Sequence, residues 1–583
     1  MTTVASEWPG ANTQHGMLVA LGEFLSQHGL IERLMNVPVP QKTRRFPPQT
    51  KLVEFLAGIV SGLEHLEDLN TGPRPLAKDR VVAQAWGQSG FAHYSSVSRT
   101  LDTCDDATVT AVEQAIEAFS RPFLAATVQD LLRRGKPIIL DFDLTGHAVS
   151  STSKTYPGVA FGWMNDGVKL GYQLARVCLS PRDGERTWLA GFHHPGDAAS
   201  VKCLKELVRA AEAQAHVRPR RRTELVQQRI TAQQAVVARA QRLVGQQSAK
   251  LNHLQQTQTD LTGKLYHVEQ TCKGPISPAK LARLQAQRNS WLKRQPRLAA
   301  QVTQCQQVLA RHQTQVREQE TAVTDLGRWL AQLEADNQSN PEPPPYVEAR
   351  MDAGFVSGEN LTWLLEMGYC PNTKAPNDRT TTALRAQLST ETRWVPVGAN
   401  ADMVAWDKYY LHGCPFPLTV ALERFKVGSA YKYATLIHYR DDGFFPTLPV
   451  WFQNYNARQT IEAGNKEIKG TFFVQHLMSR SRAGISLQVL FIGLAANAVR
   501  WCGPWLKACA AQVTPPLLRA LKSPKHLVHV AANAAAFVQQ QLDVTALQFA
   551  PDSPFPGVTL FLKGVPAFQL AFGFNQPFKI ASG

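Results

Sequence analysis

The sequence lacks the cysteine patterns of zinc-binding and secreted proteins. Its nine cysteines stand singly among 583 residues, without a CxxC pair or a dense framework, so zinc ribbons and disulfide scaffolds have no support. No basic segment followed by an apolar core opens the chain. The most apolar later run, residues 487–499, is short and contains Asn497. These absences predict a soluble protein of a reducing cytoplasm.

Several catalytic motifs are also missing. The chain has no GxxxxGK[ST], HExxH or GxSxG segment, which leaves NTPase, zinc protease and serine hydrolase functions without support. The sixteen histidines show no ligand spacing beyond His193 and His194, which precede a Pro-Gly turn and are interpreted as structural. We therefore expect no nucleotide cofactor.

Basic residues are abundant. The formal charge is +16 and the pI is near 9.5, which favours a polyanionic partner, with nucleic acid ahead of an anionic membrane surface. The length predicts about three to five domains of roughly 100–200 residues each.

Residues 1–125 have apolar positions at helical spacing and predict an all-helical region. Within it, the segment Trp86 to Leu101 has a small-residue turn before a serine-rich helix start. This pattern is compatible with a helix-turn-helix that reads DNA and equally with an ordinary helical packing domain.

Strand patterns begin at Pro137. The segments PIILDFDLTGHAV, VKLGYQLARVCLSP and RTWLAGFHH are apolar and β-branched, with Gly and Asp-Gly turn signals between them. After a long helical stretch, YVEARMDAGF predicts a strand that ends near Asp352, a loop with two glycines, and a helix from about Ser357. Residues 390–450 alternate as strands do and predict a β-rich insertion.

The helical stretch, about 198–336, has apolar residues at heptad spacing in two runs. Gly274, Pro275 and Pro278 separate the runs, so an antiparallel coiled-coil hairpin is predicted, with a kink at Pro296 and an end at residues 340–345. Three roles remain open for it: dimerisation, bracing of the domain, or DNA contact. The candidate contacts are Arg218, Arg220, Arg221 and Arg222.

The segment YNARQTIEAGNKEIKG predicts a helix with one polar face. Five side chains at offsets 0, 3, 7, 11 and 14 fall within an arc of roughly 80° at the 3.6-residue period. They are Tyr455, Arg458, Glu462, Lys466 and Lys469. A solvated face of ion pairs would have this pattern too. The apolar run that follows favours a half-buried element instead.

The spacing Y-x2-R-x3-E-x6-K of Tyr455, Arg458, Glu462 and Lys469 resembles the YREK signature of bacterial insertion-sequence DDE transposases. FDLTG around Asp143 and RMDAGF around Asp352 resemble the other two signature regions, in the same order along the chain. The resemblance covers about residues 137–499 without the coiled coil, and its third motif is the most specific.

This resemblance implies an α/β RNase H-like catalytic core, a mixed sheet with helices, in which Asp143, Asp352 and Glu462 are the catalytic metal ligands. Asp141 is the alternative to Asp143, because it points to the same side of the strand. Two Mg²⁺ ions are expected, with Mn²⁺ able to substitute. The DNA contacts implied or considered are Tyr455, Arg458, Lys466, Lys469 and Trp451. Trp451 and Trp406 are candidates for stacking on an unpaired base, and core packing is the alternative for both.

The expected function is that of a DNA transposase, which binds the ends of its insertion sequence, cleaves them by two-metal hydrolysis and joins them to target DNA. A nuclease that does not join, and a catalytically idle DNA-binding scaffold, are the alternatives. The expected partners are transposon-end and target double-stranded DNA and a second copy of the chain in the synaptic complex, without a membrane, in the bacterial cytoplasm at the nucleoid. The predicted regions are a helical DNA-binding candidate (1–125), three core parts (126–200, 341–390, 451–512), the coiled-coil insertion (201–340), the β-rich insertion (391–450) and a C-terminal region with possible dimer contacts (513–583).

Overall fold

The computed structural model describes residues 10–43, 45–164, 167–182, 184–376, 378–439, 447–541 and 544–563. It divides into two compact units: the first takes 1–219, 343–364 and 369–583, and the second takes 220–342 and 365–368. The first unit is mixed α/β, and the second is a pair of long helices. The predicted α/β class and the long helix pair are therefore confirmed. The predictions for residues 1–9, 440–446 and 564–583 lie outside the described residues.

Seventeen α-helices are described along these ranges. They are α1 Gly16–Gln27, α2 Leu30–Met35, α3 Pro48–Val60, α4 Asp68–Thr71, α5 Arg80–Ala85, α6 Tyr94–Thr103, α7 Asp106–Arg133, α8 Ser200–Ala215, α9 Thr223–Cys272, α10 Pro278–Gln338, α11 Gly358–Glu366, α12 Asp378–Arg385, α13 Leu448–Asn456, α14 Gln459–Gly470, α15 Arg482–Cys509, α16 Pro515–Leu521 and α17 Pro524–His526.

Fourteen strands are described in the same ranges. They are β1 Gly10–Thr13, β2 Ile138–Ala148, β3 Ala160–Met164, β4 Gly167–Leu179, β5 Thr187–Pro195, β6 Val347–Arg350, β7 Cys370–Lys374, β8 Val395–Pro396, β9 Ala401–Tyr409, β10 Leu418–Val427, β11 Ala430–His438, β12 Ala536–Gln541, β13 Val544–Phe549 and β14 Thr559–Lys563.

The larger sheet has ten strands in the order β3-β4-β2-β6-β7-β11-β10-β9-β8, with β5 also paired to β4. Strand β2 runs antiparallel to β4 and parallel to β6, and β6 runs parallel to β7. The three strands predicted from 137–194 are present as β2, β4 and β5, and the short strand β3 was not predicted. The β-rich segment joins the same sheet, because β11 pairs with β7.

Helices cover the β2–β4–β5 part of the sheet. Helix α8 contacts β2, β4 and β5, while α15 contacts β5 and α14 contacts β2. Helix α15 is long and apolar enough to cross a membrane, but 78% of its most apolar window is buried inside the molecule. Its apolar run is therefore accounted for by contacts with the sheet and with α1, α3 and α7.

The N-terminal region is helical apart from β1, which pairs with β12 in a four-stranded sheet β1-β12-β13-β14. The helices on either side of the possible helix-turn-helix, α5 and α6, are separated by residues 86–93, a longer connection than the 3–4-residue turn typical of that motif. Trp86 and Leu101 are fully buried. The structure therefore describes this segment as helical packing, and DNA binding by the region stays a prediction.

In the second unit, α9 and α10 pair along their length as an antiparallel hairpin. Leu251 packs with Val302 and Cys305, and Leu261 and Leu265 pack with Leu298, as the apolar spacing predicted. Helix α10 runs through Pro296 without a break in its assignment. The predicted coiled-coil insertion began at residue 201, but the first helix of that stretch, α8, packs on the sheet instead of joining the helical hairpin.

Candidate active site

Asp143 lies on β2, directly opposite Arg176 of β4 in the antiparallel register. The strand forms because apolar residues such as Phe142 alternate with polar ones, and its two faces are both covered. The carboxylate is 7% exposed. Its Oδ2 accepts a hydrogen bond from Asn465 Nδ2 at 2.6 Å, and its Oδ1 lies 3.8 Å from Arg458 Nη1.

Asp352 follows the end of β6. The parallel register pairs Asp141 with Arg350, so two residues further along, Asp143 and Asp352 lie side by side where β6 ends. The backbone N–H of Gly354 donates to Asp352 Oδ1 at 2.9 Å and fixes the carboxylate at the start of a short 3-10 helix. Burial raises the pKa of Asp352, and the nearby charge of Asp143 raises it further, while Arg458 opposes both. The two aspartates therefore meet, although they are far apart in the sequence.

Asp141 has a different environment from Asp143. It is fully buried, and its two oxygens accept from Arg350 Nε at 2.7 Å and Nη2 at 2.9 Å. A carboxylate held on both oxygens by a guanidinium is committed to that ion pair. Asp141 is therefore a structural group, and Asp143 is the better candidate of the two for a metal ligand.

The predicted single helix around Glu462 is wrong, because the chain forms α13 and α14 with a turn at Ala457 and Arg458. A continuous helix would use the carbonyl of Asn454 to accept from the N–H of Arg458. Instead Arg350 Nη1 donates to that carbonyl at 2.6 Å, and Arg458 N donates to Tyr455 O. A tertiary hydrogen bond thus replaces a helical one and breaks the helix.

The cations of this segment lie around the aspartates. Arg458 forms a side-chain hydrogen bond with Tyr455, whose pKa is raised by burial. Burial lowers the pKa of Lys469, while the charge of Asp143 opposes that effect. The structure therefore brings together Asp143, Asp352, Tyr455, Arg458 and Lys469, five of the residues singled out by the resemblance.

Glu462 lies on α14 and is exposed. It is three residues before Asn465, which touches Asp143, and seven before Lys469, so it shares their side of the helix. Glu462 forms no hydrogen bond or ion pair with any residue that the structure describes. Glu462 is thus on the side of α14 that carries Asn465, but no contact among the described residues joins it to Asp143 or Asp352. Lys466 is likewise exposed on α14.

The prediction that Trp451 stacks on a DNA base is wrong. Its side chain is 1% exposed, and its indole Nε1 donates to Asn372 Oδ1 at 3.0 Å. Trp451 is a core residue, which is the alternative that the sequence left open. Trp406 is partly buried on β9, and its role stays a prediction. The exposed tryptophan of this sheet is Trp163, which is 71% exposed on β3.

Four arginines before α9 are candidates for DNA contact, and the structure gives two of them, Arg221 and Arg222, partners within the protein. Arg221 is 3% exposed, and its guanidinium pairs with Asp336 at 3.1 Å and donates to Met367 O. Arg222 Nη1 donates to Leu365 O. These two arginines stabilise the end of the helical hairpin where α9 begins and α10 ends. Arg220, by contrast, is exposed.

Sequence reasoning missed two residues of the site, Asn465 and Arg176. Asn465 orients Asp143, and Arg176, 1% exposed, donates from Nη2 to the carbonyl of Ile461 at 2.6 Å and so holds α14 on the sheet. The spacing of Asn465, three residues after Glu462, could have placed it on the polar face. Arg176 carries no such local signal, because its partner is a backbone carbonyl of a distant segment.

A scan against models of protein families matches no family, and no curated protein matches the chain. The site is therefore interpreted from its own chemistry.

The carboxylates fit a divalent cation. Oxygen ligands of Asp143 and Asp352 are the type that Mg²⁺ prefers, and the effect of one aspartate on the pKa of the other shows a repulsion that a cation would relieve. A second group, Glu64, His65 and His476, has ligand atoms within 4.8 Å of one another. Two of its three members are exposed and two are imidazoles, so it resembles a surface contact more than a magnesium site.

Proposed function

We propose that this protein is a DNA transposase with an RNase H-like core, which cleaves the ends of its own element and joins them to target DNA. The observation that carries the proposal is the parallel register of β2 and β6, which brings Asp143 and Asp352 side by side where β6 ends, next to α14. Helix α14 supplies the third acid, Glu462, and the cation Lys469, while Arg458 lies in the turn before it.

The order of elements supports the RNase H-like part of the proposal. Three long strands, β2, β4 and β5, together with the short strand β3, precede the helix α8. Strand β6, which leads to the second aspartate, then pairs with β2. The resemblance requires this order, with the helical hairpin as an elaboration after α8. The positive charge of the chain and its exposed Lys466 favour DNA as the substrate.

Each residue has a defined task in the proposed reaction. Asp143, Asp352 and Glu462 would hold two Mg²⁺ ions, with Mn²⁺ able to substitute, and these ions supply stabilisation of the charge that develops on the phosphate oxygens. Asn465 orients Asp143, and Arg458 and Lys469 bind phosphates and set the position of the strand. Tyr455 holds Arg458 in place.

The bond changes follow from this arrangement. In the first step, water attacks phosphorus, a new P–O bond forms and the bond to the 3′ oxygen breaks, which leaves a 3′-hydroxyl at the element end. In the second step, that hydroxyl attacks a phosphodiester of the target, so one bond forms and one breaks without an external energy source. A copy of the chain at each element end would complete the synaptic complex in the bacterial cytoplasm.

The test is incubation of the full chain with Mg²⁺ and labelled DNA that carries the terminal repeats of its element and a target. We expect cleavage at the ends and joined products, with both lost in Asp143→Asn, Asp352→Asn and Glu462→Gln. Asp378→Asn, an exposed acid of α12, is the matched control and keeps both activities.

Cutting without joining would favour a nuclease. DNA binding without any chemistry sensitive to the three variants would leave a scaffold. Retained cleavage in Glu462→Gln alone would remove Glu462, whose side chain is exposed, from the set of metal ligands.

A further inference from the structure

A second polar cavity, separate from the two aspartates, lies between the segment before β5 and helices α14 and α15. Its volume is about 340 Å³, and neither Asp143 nor Asp352 lines it. The lining donors used below are Ser180, Arg186, Arg350, Arg500 and Lys522, and the lining acids are Glu185 and Glu467.

The cavity has buried donors without acceptors. The hydroxyl of Ser180, a residue only 3% exposed, makes no hydrogen bond to any residue that the structure describes. The Nε and Nη1 atoms of Arg186 are also buried and, within the described ranges, unpartnered. Leaving such groups without an acceptor is costly, more so for a charged donor. Ser180 and Arg186 both line the cavity, so an acceptor bound there would lie next to these donors.

The charges around the cavity do not cancel. Arg350 is neutralised by Asp141, and Arg500 contacts the two acids that line the cavity, Glu467 with two contacts of 2.7 Å and Glu185 at 3.7 Å. Arg186 and Lys522, by contrast, form no ion pair with an acid of the described ranges. A net positive, partly desolvated cavity favours an anion.

The position of Arg186 is fixed by the helix above it. A side chain at Gly464 of α14 would overlap Arg186 Nη1, so the guanidinium packs directly against the helix backbone. Burial lowers the pKa of Arg186; Cys178 and the charge of Asp141 oppose this effect, while the charges of Arg176 and Arg500 add to it. Arg186 is thus held in a position where burial of its charge is unfavourable, and a bound anion would offset that free-energy cost.

We propose that this cavity binds a phosphate group, with Arg186, Ser180 and Lys522 as its donors. The planar guanidinium fork matches phosphate oxygens, and the hydroxyl supplies a further donor. Phosphate suits the cavity better than a single carboxylate, because the donors come from two separate segments, residues 180–186 and Lys522. The inference stands on this geometry and does not depend on the proposed transposase activity.

The first experiment uses inorganic phosphate and pyrophosphate as probes, with the full chain in EDTA. Calorimetry and thermal unfolding are expected to show saturable binding and stabilisation. Arg186→Gln should weaken binding about tenfold or more, since it removes a charged hydrogen-bond donor. Ser180→Ala, a smaller change that adds no bulk, should weaken it less. Arg99→Gln, an exposed arginine of α6, controls for the loss of one charge.

A lack of saturable binding by the unmodified chain, or equal binding in Arg186→Gln, Ser180→Ala and Arg99→Gln, would overturn the proposal. Because EDTA removes divalent cations, binding here does not report on the aspartates. A failure of this experiment is therefore distinct from a failure of the cleavage assay.

The second experiment identifies the source of the phosphate. Short duplex DNA is titrated in EDTA with and without pyrophosphate. Competition, together with weaker DNA binding by Arg186→Gln, assigns the site to the DNA backbone. Pyrophosphate binding that depends on Arg186 while DNA binding is unchanged assigns it to a free phosphate compound. Both results support a phosphate site.

Discussion

Asp141 and Asp143 are two residues apart on one strand and point to the same side, yet their neighbours give them different tasks. Arg350 occupies both oxygens of Asp141, whereas Asp143 receives one short hydrogen bond from Asn465 and a looser approach by Arg458. A cation needs carboxylate oxygens that are oriented but not neutralised. At the scale of single residues, the partner of each acid therefore decides its role.

Asn465 orients Asp143, so its removal is expected to lower activity without unfolding the chain. We expect Asn465→Ala to reduce the rate of end cleavage by about 10–100-fold, the usual effect of losing a group that positions a metal ligand. The measurement is the single-turnover cleavage rate in Mg²⁺, with Gln459→Ala, an exposed residue of α14, as the control. An unchanged rate would remove Asn465 from the site.

Trp451 supports the core rather than the substrate. In Trp451→Phe, Asn372 loses the indole donor, and a buried amide oxygen without a partner costs about 1–3 kcal/mol of the free energy of unfolding. DNA affinity should stay the same. Trp163→Phe is the matched control, because Trp163 is 71% exposed and its replacement should change stability by about 0.5 kcal/mol at most. Chemical denaturation compares the two variants; equal stabilities would contradict this assignment.

Glu348 makes stability depend on pH. It is fully buried between Asn372 and Asn454, and burial raises its pKa to about 7. A carboxyl whose folded pKa is raised stabilises the fold most below its unfolded pKa, and this contribution is lost as pH rises through about 7.

We therefore expect thermal stability to fall between about pH 4.5 and about pH 7, and Glu348→Gln to flatten that fall. The melting temperature across this range, compared with the exposed-site variant Glu342→Gln, is the measurement. A wild-type profile no steeper than that of Glu348→Gln would contradict the role of Glu348.

At the scale of elements, two hydrogen bonds from the sheet hold helix α14, one just before the helix and one in its first turn. Arg350 donates a hydrogen bond to the carbonyl of Asn454, before α14, and Arg176 donates one to the carbonyl of Ile461, within α14. These two arginines lie on β6 and β4, so the sheet determines both where α13 ends and where α14 is positioned. Glu462 consequently lies on a short helix that is distinct from α13 and has its own hydrogen bond to the sheet.

The long helices offer a test at the same scale. Pro296 lies inside α10, where proline removes a helical hydrogen bond, whereas Pro278 lies at the first position, where proline is tolerated. We expect Pro296→Ala to stabilise the hairpin by as much as about 3 kcal/mol and Pro278→Ala to have little effect. Urea unfolding followed by helical circular dichroism measures both. Equal effects would indicate that α10 is relaxed around Pro296.

At the scale of the whole molecule, the formal charge of +16 is the property that bears on the partner. Proteins that bind DNA phosphates release counterions, so their affinity falls steeply with salt. The two compact units also imply that unfolding need not follow a single two-state transition.

We expect the affinity for duplex DNA to fall by at least roughly tenfold between 50 and 200 mM salt, as phosphate contacts require. Fluorescence anisotropy with a labelled duplex gives the slope of log K against log salt. Asp352→Asn, which removes an acid from the site, should bind at least as tightly as the unmodified chain. Salt-independent binding would argue against a phosphate-based interface.

Local patterns in the sequence were enough to predict the strands β2, β4 and β5, the long helices α9 and α10, and the shared polar side of Glu462 and Lys469. Each depends on a periodicity of two or of about 3.6 residues within one segment, which needs no distant partner.

Other properties were decided only by the tertiary structure. The meeting of Asp143 with Asp352, the neutralisation of Asp141 by Arg350 and the burial of Trp451 all depend on residues about 80 to 210 positions away. The break before α14 depends on a distant residue too, because the guanidinium of Arg350 on β6 donates to a carbonyl that would accept a helical hydrogen bond in a continuous helix. A pattern in one segment cannot specify such contacts, because strand register and side-chain pairing between distant segments are settled only when the chain packs.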